Sequence, residues 1–233
     1  PLAQDGDGML VCRISGGRRP VVCHDCGSTR FRNLRAGVTR VREELEALAG
    51  RPVIEVTGGT DPGKLPDAGV YVGTEAVLHR IERASRVVFL EFDQELLAPR
   101  MRAAEQAMAL LVRAARLVGP RSDGGRLVVQ TRQPGHEVLQ AALHADPGRL
   151  TEPEEARRRL LRLPPFSAVA QVSGAVAAEF IEQLGGLDGI DVLGPRDGSW
   201  LVRASDSATL ADVLASVQRP AGRLRIEVDP ARI

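Results

Sequence analysis

Val87-Val88-Phe89-Leu90-Glu91-Phe92-Asp93 and, after an intervening helical pattern, Leu127-Val128-Val129-Gln130-Thr131 are the stretches whose reading decides the fold. Each opens on a short apolar run with the β-branched bias of a buried strand, so the pair predicts parallel strands. Between them Ala104, Met108, Leu111, Ala115 and Val118 recur at three- and four-residue steps, which predicts a helix from about Arg100 to Val118 with one apolar face. Gly119-Pro120 stops that helix, and Gly124-Gly125 turns the chain into the second strand. The whole reads as a βαβ unit, the mark of an α/β domain with a mostly parallel sheet. Glu91, Asp93 and Glu95 fall at the carboxyl end of the first strand, where open α/β sheets place ligands.

Working outward, Thr39 to Ala49 reads as a helix with Val41, Leu45 and Leu48 on one face and Gly50 as its stop. Val53 to Thr57 and Val70 to Val72 read as strands, with Thr74 capping a helix after the second. The loop Gly58-Gly59-Thr60-Asp61-Pro62-Gly63-Lys64 fits G-x4-G-K after a strand. A phosphate loop continues with Ser or Thr and a helix; this one continues Leu65-Pro66-Asp67, so a surface turn is predicted. Downstream, His136 to His144 is an amphipathic helix broken at Asp146-Pro147-Gly148, and Thr151 N-caps the next helix, which runs to Pro164-Pro165. The last 70 or so residues alternate strand-helix-strand-strand-helix-strand, a small α+β domain of ferredoxin-like order. Trp200 reads as a core residue of its hairpin, with base stacking as the other reading.

The chain has 233 residues, enough for one large or two small domains at roughly 100–200 residues each. A hydrophobic share of 43% with 26% charged residues is that of a globular protein and excludes a disordered tail. The net charge of +1 gives no overall field for nucleic acid, so any affinity for DNA must come from local patches. The densest is Arg157-Arg158-Arg159 with Arg162, the best local candidate for DNA phosphate, although a solvated helix face paired with Glu154 and Glu155 is the favoured single explanation. No apolar run approaches the roughly 20 residues that span a bilayer, and the start lacks the pattern of a signal peptide, so no membrane is expected. There is no initiator Met. Three cysteines indicate thiols or a metal in a reducing cytoplasm. Cys23-His24-Asp25-Cys26-Gly27 is a C-x2-C-G knuckle, and Cys12 brings the thiols to three, one short of a four-ligand zinc site.

The order Asp93, Pro99-Arg100-Met101-Arg102-Ala103-Ala104-Glu105, helix, Val128-Val129-Gln130-Thr131 resembles the second helicase lobe of the bacterial replication-restart family PriA (primosomal protein N′). Val72-Gly73-Thr74-Glu75, Pro134, His136, Leu163-Pro164-Pro165-Phe166, Leu193-Gly194-Pro195 and Val228-Asp229-Pro230 match in family order over nearly all of the chain. The resemblance implies a remnant zinc-ribbon segment over 1–32, a RecA-like second helicase lobe over 33–147 and a ferredoxin-like α+β domain over 148–233. It also implies zinc held by paired C-x2-C motifs. Cys12, Cys23 and Cys26 are then a partial site, with Ser15 standing where a cysteine is expected.

In such helicases arginines at the end of the long helix stabilise the transferring phosphate. A gapless count puts Leu117 and Pro120 at those positions, and a one-turn slip would put Arg113 and Arg116 there. On the gapless count Arg113 and Arg116 are solvated surface charges. His79 and Arg80 stand where the nucleotide-coupling Lys-Gly belongs. The resemblance therefore implies a cytoplasmic DNA-binding replication-restart protein of the actinobacterial, helicase-degenerate kind. Its partners would be branched or single-stranded DNA and primosome and replication proteins at stalled or branched forks. Two other readings stay open: the C-terminal piece of an active ATP-dependent 3′–5′ DNA helicase, and a small-molecule α/β enzyme built on Asp93 and Glu95.

Overall fold

A computed structural model describes residues 2–4, 8–12, 17–24, 26–29, 37–61, 63 and 65–230. The chain divides into two units, residues 32–151 and residues 1–31 with 152–233.

In the first unit, helix α1 (Val38–Ala49) ends at Gly50, whose left-handed backbone (φ 61°) lets its N–H reach the Glu46 carbonyl at 3.0 Å. Strands β4 (Ile54–Val56) and β5 (Tyr71–Gly73) pair in parallel, Val56 opposite Gly73. A Cβ at Gly73 would lie 1.7 Å from the Val56 carbonyl oxygen, so only glycine allows this approach. Leu48, expected on the inward face of α1, is instead 84% exposed, and no α1 residue is fully buried. The lengths explain it: a 12-residue helix runs about 18 Å, whereas a three-residue strand runs about 10 Å, so the pair cannot cover the helix end.

The expected βαβ unit is present. After α2 (Val77–Arg80), strand β6 (Arg86–Phe89) leads through α3 (Asp93–Leu96) into α4 (Ala103–Val118) and back to β7 (Arg126–Val129). Strands β6 and β7 are parallel and in register. Phe92, Leu96, Ala104, Ala107, Met108 and Leu111 form the core with Val138 and Leu139 of α5 (Glu137–Leu143), and Phe89, Leu127 and Val129 pack on it. Along α4 the buried stripe runs through Ala107, Leu111 and Ala114, so Ala115, expected inside, is exposed. Among the described residues the four parallel strands form two separate pairs, β4-β5 and β6-β7, where one mostly parallel sheet was expected. With three or four residues each, the strands offer few ladder positions.

His136 caps α5, its Nδ1 accepting the Val138 N–H at 3.3 Å. A 3-10 turn, Pro147–Leu150, then runs into α6 (Thr151–Leu161). The cap here is Asp146, which accepts the Gly148 N–H at 3.1 Å; Thr151, expected in that role, already has helical backbone (φ −61°, ψ −53°).

The second unit holds an antiparallel meander, β1 (Leu2–Gln4), β2 (Leu10–Cys12) and β3 (Arg18–Arg19). It also holds β8 (Ala168–Ser173), α7 (Ala177–Leu184), β9 (Ile190–Arg196), β10 (Ser199–Ala204), α8 (Ser207–Ser216) and β11 (Arg225–Val228). These four strands form an antiparallel sheet in the order β11-β8-β10-β9. Ala168, Ala170, Val172, Val202 and Ala204 from the sheet meet Phe180, Leu184 and Leu210 from both helices in one buried cluster. Trp200 is partly buried against it, as its hairpin position predicts. Overall the protein is a mixed α/β chain with small parallel pairs and one four-stranded antiparallel sheet.

Candidate nucleic-acid interface and strand-end site

The acidic residues after β6 are held by the protein itself. Asp93 accepts the Thr131 hydroxyl from the end of β7, and the Arg132 N–H reaches its two carboxylate oxygens at 3.2 and 3.1 Å. The Thr131 hydroxyl bond and then the Arg132 backbone bond hold the Asp93 carboxyl below the usual carboxylate range. Glu95 pairs with Arg100 at 2.6 Å. Both carboxylates of the small-molecule reading are thus engaged in fastening loops.

The loop that resembles a phosphate loop is inverted in its polarity. A phosphate cradle aims backbone N–H groups inward. Here Arg80, at the end of α2, donates to the carbonyl oxygens of Thr60 (3.4 Å), Asp61 (2.7 Å) and Gly63 (2.6 Å). The N–H groups of Thr57, Thr60 and Gly63 go to Thr60 Oγ1, the Thr57 carbonyl and Asp61 Oδ1. Lys64 lies outside the described residues. A ring of carbonyls around a guanidinium selects against anions, in agreement with the surface turn expected. Thr74 accepts the Val77 N–H through its carbonyl at 3.0 Å, while its hydroxyl is 3.5 Å from the Ala76 N–H.

At the far end of α4, the Arg113 Nε donates to the Leu78 carbonyl of α2 at 2.7 Å. Arg113 is exposed, as expected of a surface charge, and this bond also ties it to α2. Arg116 is exposed in the last turn of α4, where a cation suits the helix dipole. Leu117 accepts the Ala84 N–H at 3.0 Å, and the Pro120 carbonyl accepts from Asp123 and Gly125 at 3.1 and 3.2 Å. The turn at the gapless finger positions is therefore closed by backbone bonds.

Each of the four arginines singled out on α6 and just after it carries a partner. Glu154, only 7% exposed, takes both Arg157 and Arg158, and Arg158 also donates to the Pro164 carbonyl at 3.3 Å. Arg159 pairs with Glu155 at 2.8 Å and lies over the Phe166 ring, 4.1 Å from its centroid. Arg162 ends the helix in left-handed backbone (φ 51°) and pairs with Asp191 at 3.0 Å. Asp191 also takes Arg203, which donates in turn to the Leu161 carbonyl at 3.1 Å. The side chain of Arg158 is 12% exposed, against 42%, 64% and 59% for Arg157, Arg159 and Arg162. Three of the four thus face solvent, and the fourth is a brace. Sequence spacing disclosed the pairs to Glu154 and Glu155; the Asp191 link, 29 residues away, left no local signal.

The C-x2-C knuckle has the turn such a motif needs: the Gly27 N–H reaches the Cys23 carbonyl at 3.0 Å with Gly27 at φ 67°. Cys12, Cys23 and Cys26 are in no disulfide. Among the described residues no three Cys, His, Asp or Glu side chains converge on one point, so they form no complete metal site, and Ser15 lies outside the described residues. No helix among the described residues is long and apolar enough to cross a membrane.

No family model matches the chain. Individual relatives do. Over 198 residues it is 32% identical to a probable replication restart protein PriA of Mycobacterium leprae, covering 82% of this chain and 30% of that protein. The Mycobacterium tuberculosis counterpart is 34% identical over 181 residues, 75% of this chain and 27% of the relative. The replication restart protein PriA of Haemophilus influenzae is 26% identical over 180 residues, 70% of this chain and 25% of the relative. The chain thus spans about a third or less of the length of the relatives it matches. By this homology, which lies in the C-terminal portion of those relatives, the chain belongs to the PriA replication restart family.

Proposed function

We infer that this chain serves replication restart as a DNA-binding part that works in primosome assembly at stalled or branched forks, without helicase activity of its own. In this reading residues 33–147 are a RecA-like second helicase lobe, residues 148–233 a ferredoxin-like domain, and residues 1–32 a zinc-ribbon remnant holding at most a partial zinc site. Its partners would be branched or single-stranded DNA and the primosome and replication proteins, in the cytoplasm.

The observation that carries the helicase-free part is the Arg113 bond to the Leu78 carbonyl together with the carbonyl-lined loop on Arg80. The first ties the Nε of the nearest arginine that could serve as a finger to α2, and the second removes the one loop with a phosphate-binding pattern. For DNA, the support is the exposure of Arg157, Arg159 and Arg162 along one helix and its end. Surface ion pairs such as Arg159–Glu155 contribute little, so a phosphate can displace the carboxylate at small cost. Arg158 would position its neighbours.

The experiment is a titration of this chain with forked and linear DNA across a salt series, alongside DNA-stimulated ATPase measured on the full-length parent. The expected result is fork binding whose log-log salt slope falls by about 0.9 for each of Arg159→Glu and Arg162→Glu, with no ATP turnover. Unchanged slopes would remove the α6 assignment. ATP hydrolysis stimulated by fork DNA would restore the active-helicase reading.

A further inference from the structure

Asp191, near the start of β9, stands opposite Arg203 of β10 in the register of the sheet. Its Oδ2 takes three donors: Arg203 Nε and Nη2 at 3.3 and 3.0 Å, and Arg162 Nη1 at 3.0 Å. Two guanidiniums thus share one carboxylate, and the group carries one positive charge in surplus. The two partners are held unequally. Arg203 is 17% exposed and sends its Nη1 to the carbonyl of Leu161, the last residue of α6, at 3.1 Å. Arg162 is 59% exposed, and among the described residues its guanidinium makes the one bond to Asp191.

The backbone at Arg162 is fixed although the tip of its side chain is not. Its carbonyl takes the hydroxyl of buried Ser167 at 2.5 Å, and the N–H groups of Arg162 and Leu163 return to the Arg159 and Arg158 carbonyls at 3.3 and 2.9 Å. An exposed ion pair contributes little, so an arriving anion can draw the Arg162 guanidinium away. Asp191 then keeps Arg203, and no carboxylate is left without a cation. Carboxylate and phosphate oxygens are alike as acceptors for a guanidinium, so the two compete for Arg162. Arg157 and Arg159 have their acids on α6 itself, about one turn away. The acid on Arg162 comes from the sheet, so changing it leaves the pairs within the helix in place.

We propose that Asp191 is an internal competitor for DNA phosphate at Arg162, a contact that lowers the affinity of the α6 patch and yields when a phosphate takes its place. This rests on the assignment of DNA to α6 and adds to it a sheet residue that opposes binding.

The test is a titration of the whole chain with fork DNA, started at low salt. Asp191→Asn removes the charge and keeps an acceptor for Arg203; the side chain is 43% exposed, so the fold should hold. This variant should bind about three- to tenfold tighter than the parent, with the gain shrinking as salt rises. Glu182→Gln removes an equal charge from an exposed acid on α7 that has no ion pair among the described residues. It should stay within about twofold of the parent. Combined with Arg162→Gln, Asp191→Asn should give no gain. In the unaltered chain the Asp191 carboxyl resonance should move as fork DNA saturates it, a readout that needs no variant to fold. Equal affinity of Asp191→Asn and the parent, an equal gain from Glu182→Gln, a gain that survives Arg162→Gln, or an Asp191 resonance unmoved by saturating DNA would each overturn the proposal. Failure of the DNA assignment itself looks different: the parent then binds no fork DNA, or Arg162→Glu leaves the salt slope unchanged, and the competition falls with it.

Discussion

The hydroxyl of Thr131 donates to the carboxylate of Asp93 across 38 residues of chain, joining the carboxyl ends of two parallel strands. Ligands of open α/β sheets usually gather at such ends; here the acid is engaged by its own fold. The bond should be visible in a titration. Asp93 is held below its ordinary value of 3.8, first by the Thr131 bond and then by the Arg132 N–H. A carboxyl depressed by folding adds stability that is present above its unfolded pKa and lost as pH falls through the lower folded value. Thr131→Val removes the largest cause, so the Asp93 carboxyl resonance should titrate at higher pH than in the parent, and the stability lost below pH 3.8 should shrink. A titration midpoint unmoved by Thr131→Val would show that the hydroxyl is not what holds the carboxylate.

Asp206 allows a second pH measurement in the other unit. It caps α8, accepting the Thr209 N–H at 2.9 Å, with the Ser205 and Thr209 hydroxyls on its second oxygen at 2.7 and 2.9 Å. The Thr209 N–H, then the two hydroxyls, lower its pKa from 3.8 to about 2. The sign is that of Asp93, and the window in which the contribution disappears lies between pH 3.8 and about 2. Asp206→Asn keeps a capping acceptor without the charge. Its melting temperature should therefore fall less steeply across that window than the parent's, while Asp206→Ala should melt lower throughout neutral pH. Parallel melting curves for the parent and Asp206→Asn down to pH 2 would refute the assignment.

Both of these acids show what a sequence discloses. The helix over 103–118 and the flanking strands follow from hydrophobic period alone, because their apolar faces are set by residues three, four or two apart. Asp93–Thr131, Arg80 on the loop at 60–63, Arg113 on Leu78 and Arg162 on Asp191 are polar contacts between residues 17 to 38 positions apart. No periodicity encodes them. The same limit explains the caps: Thr151 has the right residue type, but Asp146 sits where the chain turns. The two-pair arrangement of the parallel strands was equally hidden, since strand patterns predict faces and not neighbours.

Gly73 makes the β4-β5 pairing sensitive to a single methyl group. Its position opposite Val56 leaves no room for a Cβ, which would meet the Val56 carbonyl oxygen at 1.7 Å and its carbon at 2.7 Å. Neither atom belongs to a flexible side chain, so relief requires the strands to part. Gly73→Ala should destabilise the unit of residues 32–151 by about 1–3 kcal/mol or more. Denaturant unfolding followed by amide exchange would locate the loss at Ile54 to Val56, and retention of the parent midpoint would mean that the strands are not this close.

Arg80 separates two meanings of a glycine-rich loop. If the loop at 58–63 were a relic phosphate site blocked by a cation, Arg80→Ala should open it to anions; if its carbonyls face inward by construction, the same change should only loosen it. The bonding favours the second: the Thr57, Thr60 and Gly63 N–H groups already have acceptors inside the loop, independent of Arg80. Removing the guanidinium leaves the Thr60, Asp61 and Gly63 carbonyls to water, which raises local mobility without creating a donor. Arg80→Ala should therefore speed amide exchange over residues 57–65 and bind neither ATP nor inorganic phosphate in saturation-transfer measurements. Arg80→Lys should restore only part of the protection, because an ammonium is a point charge where the guanidinium spreads its donors over a plane. Phosphate binding gained by Arg80→Ala, with exchange rates unchanged, would reverse the reading of the loop.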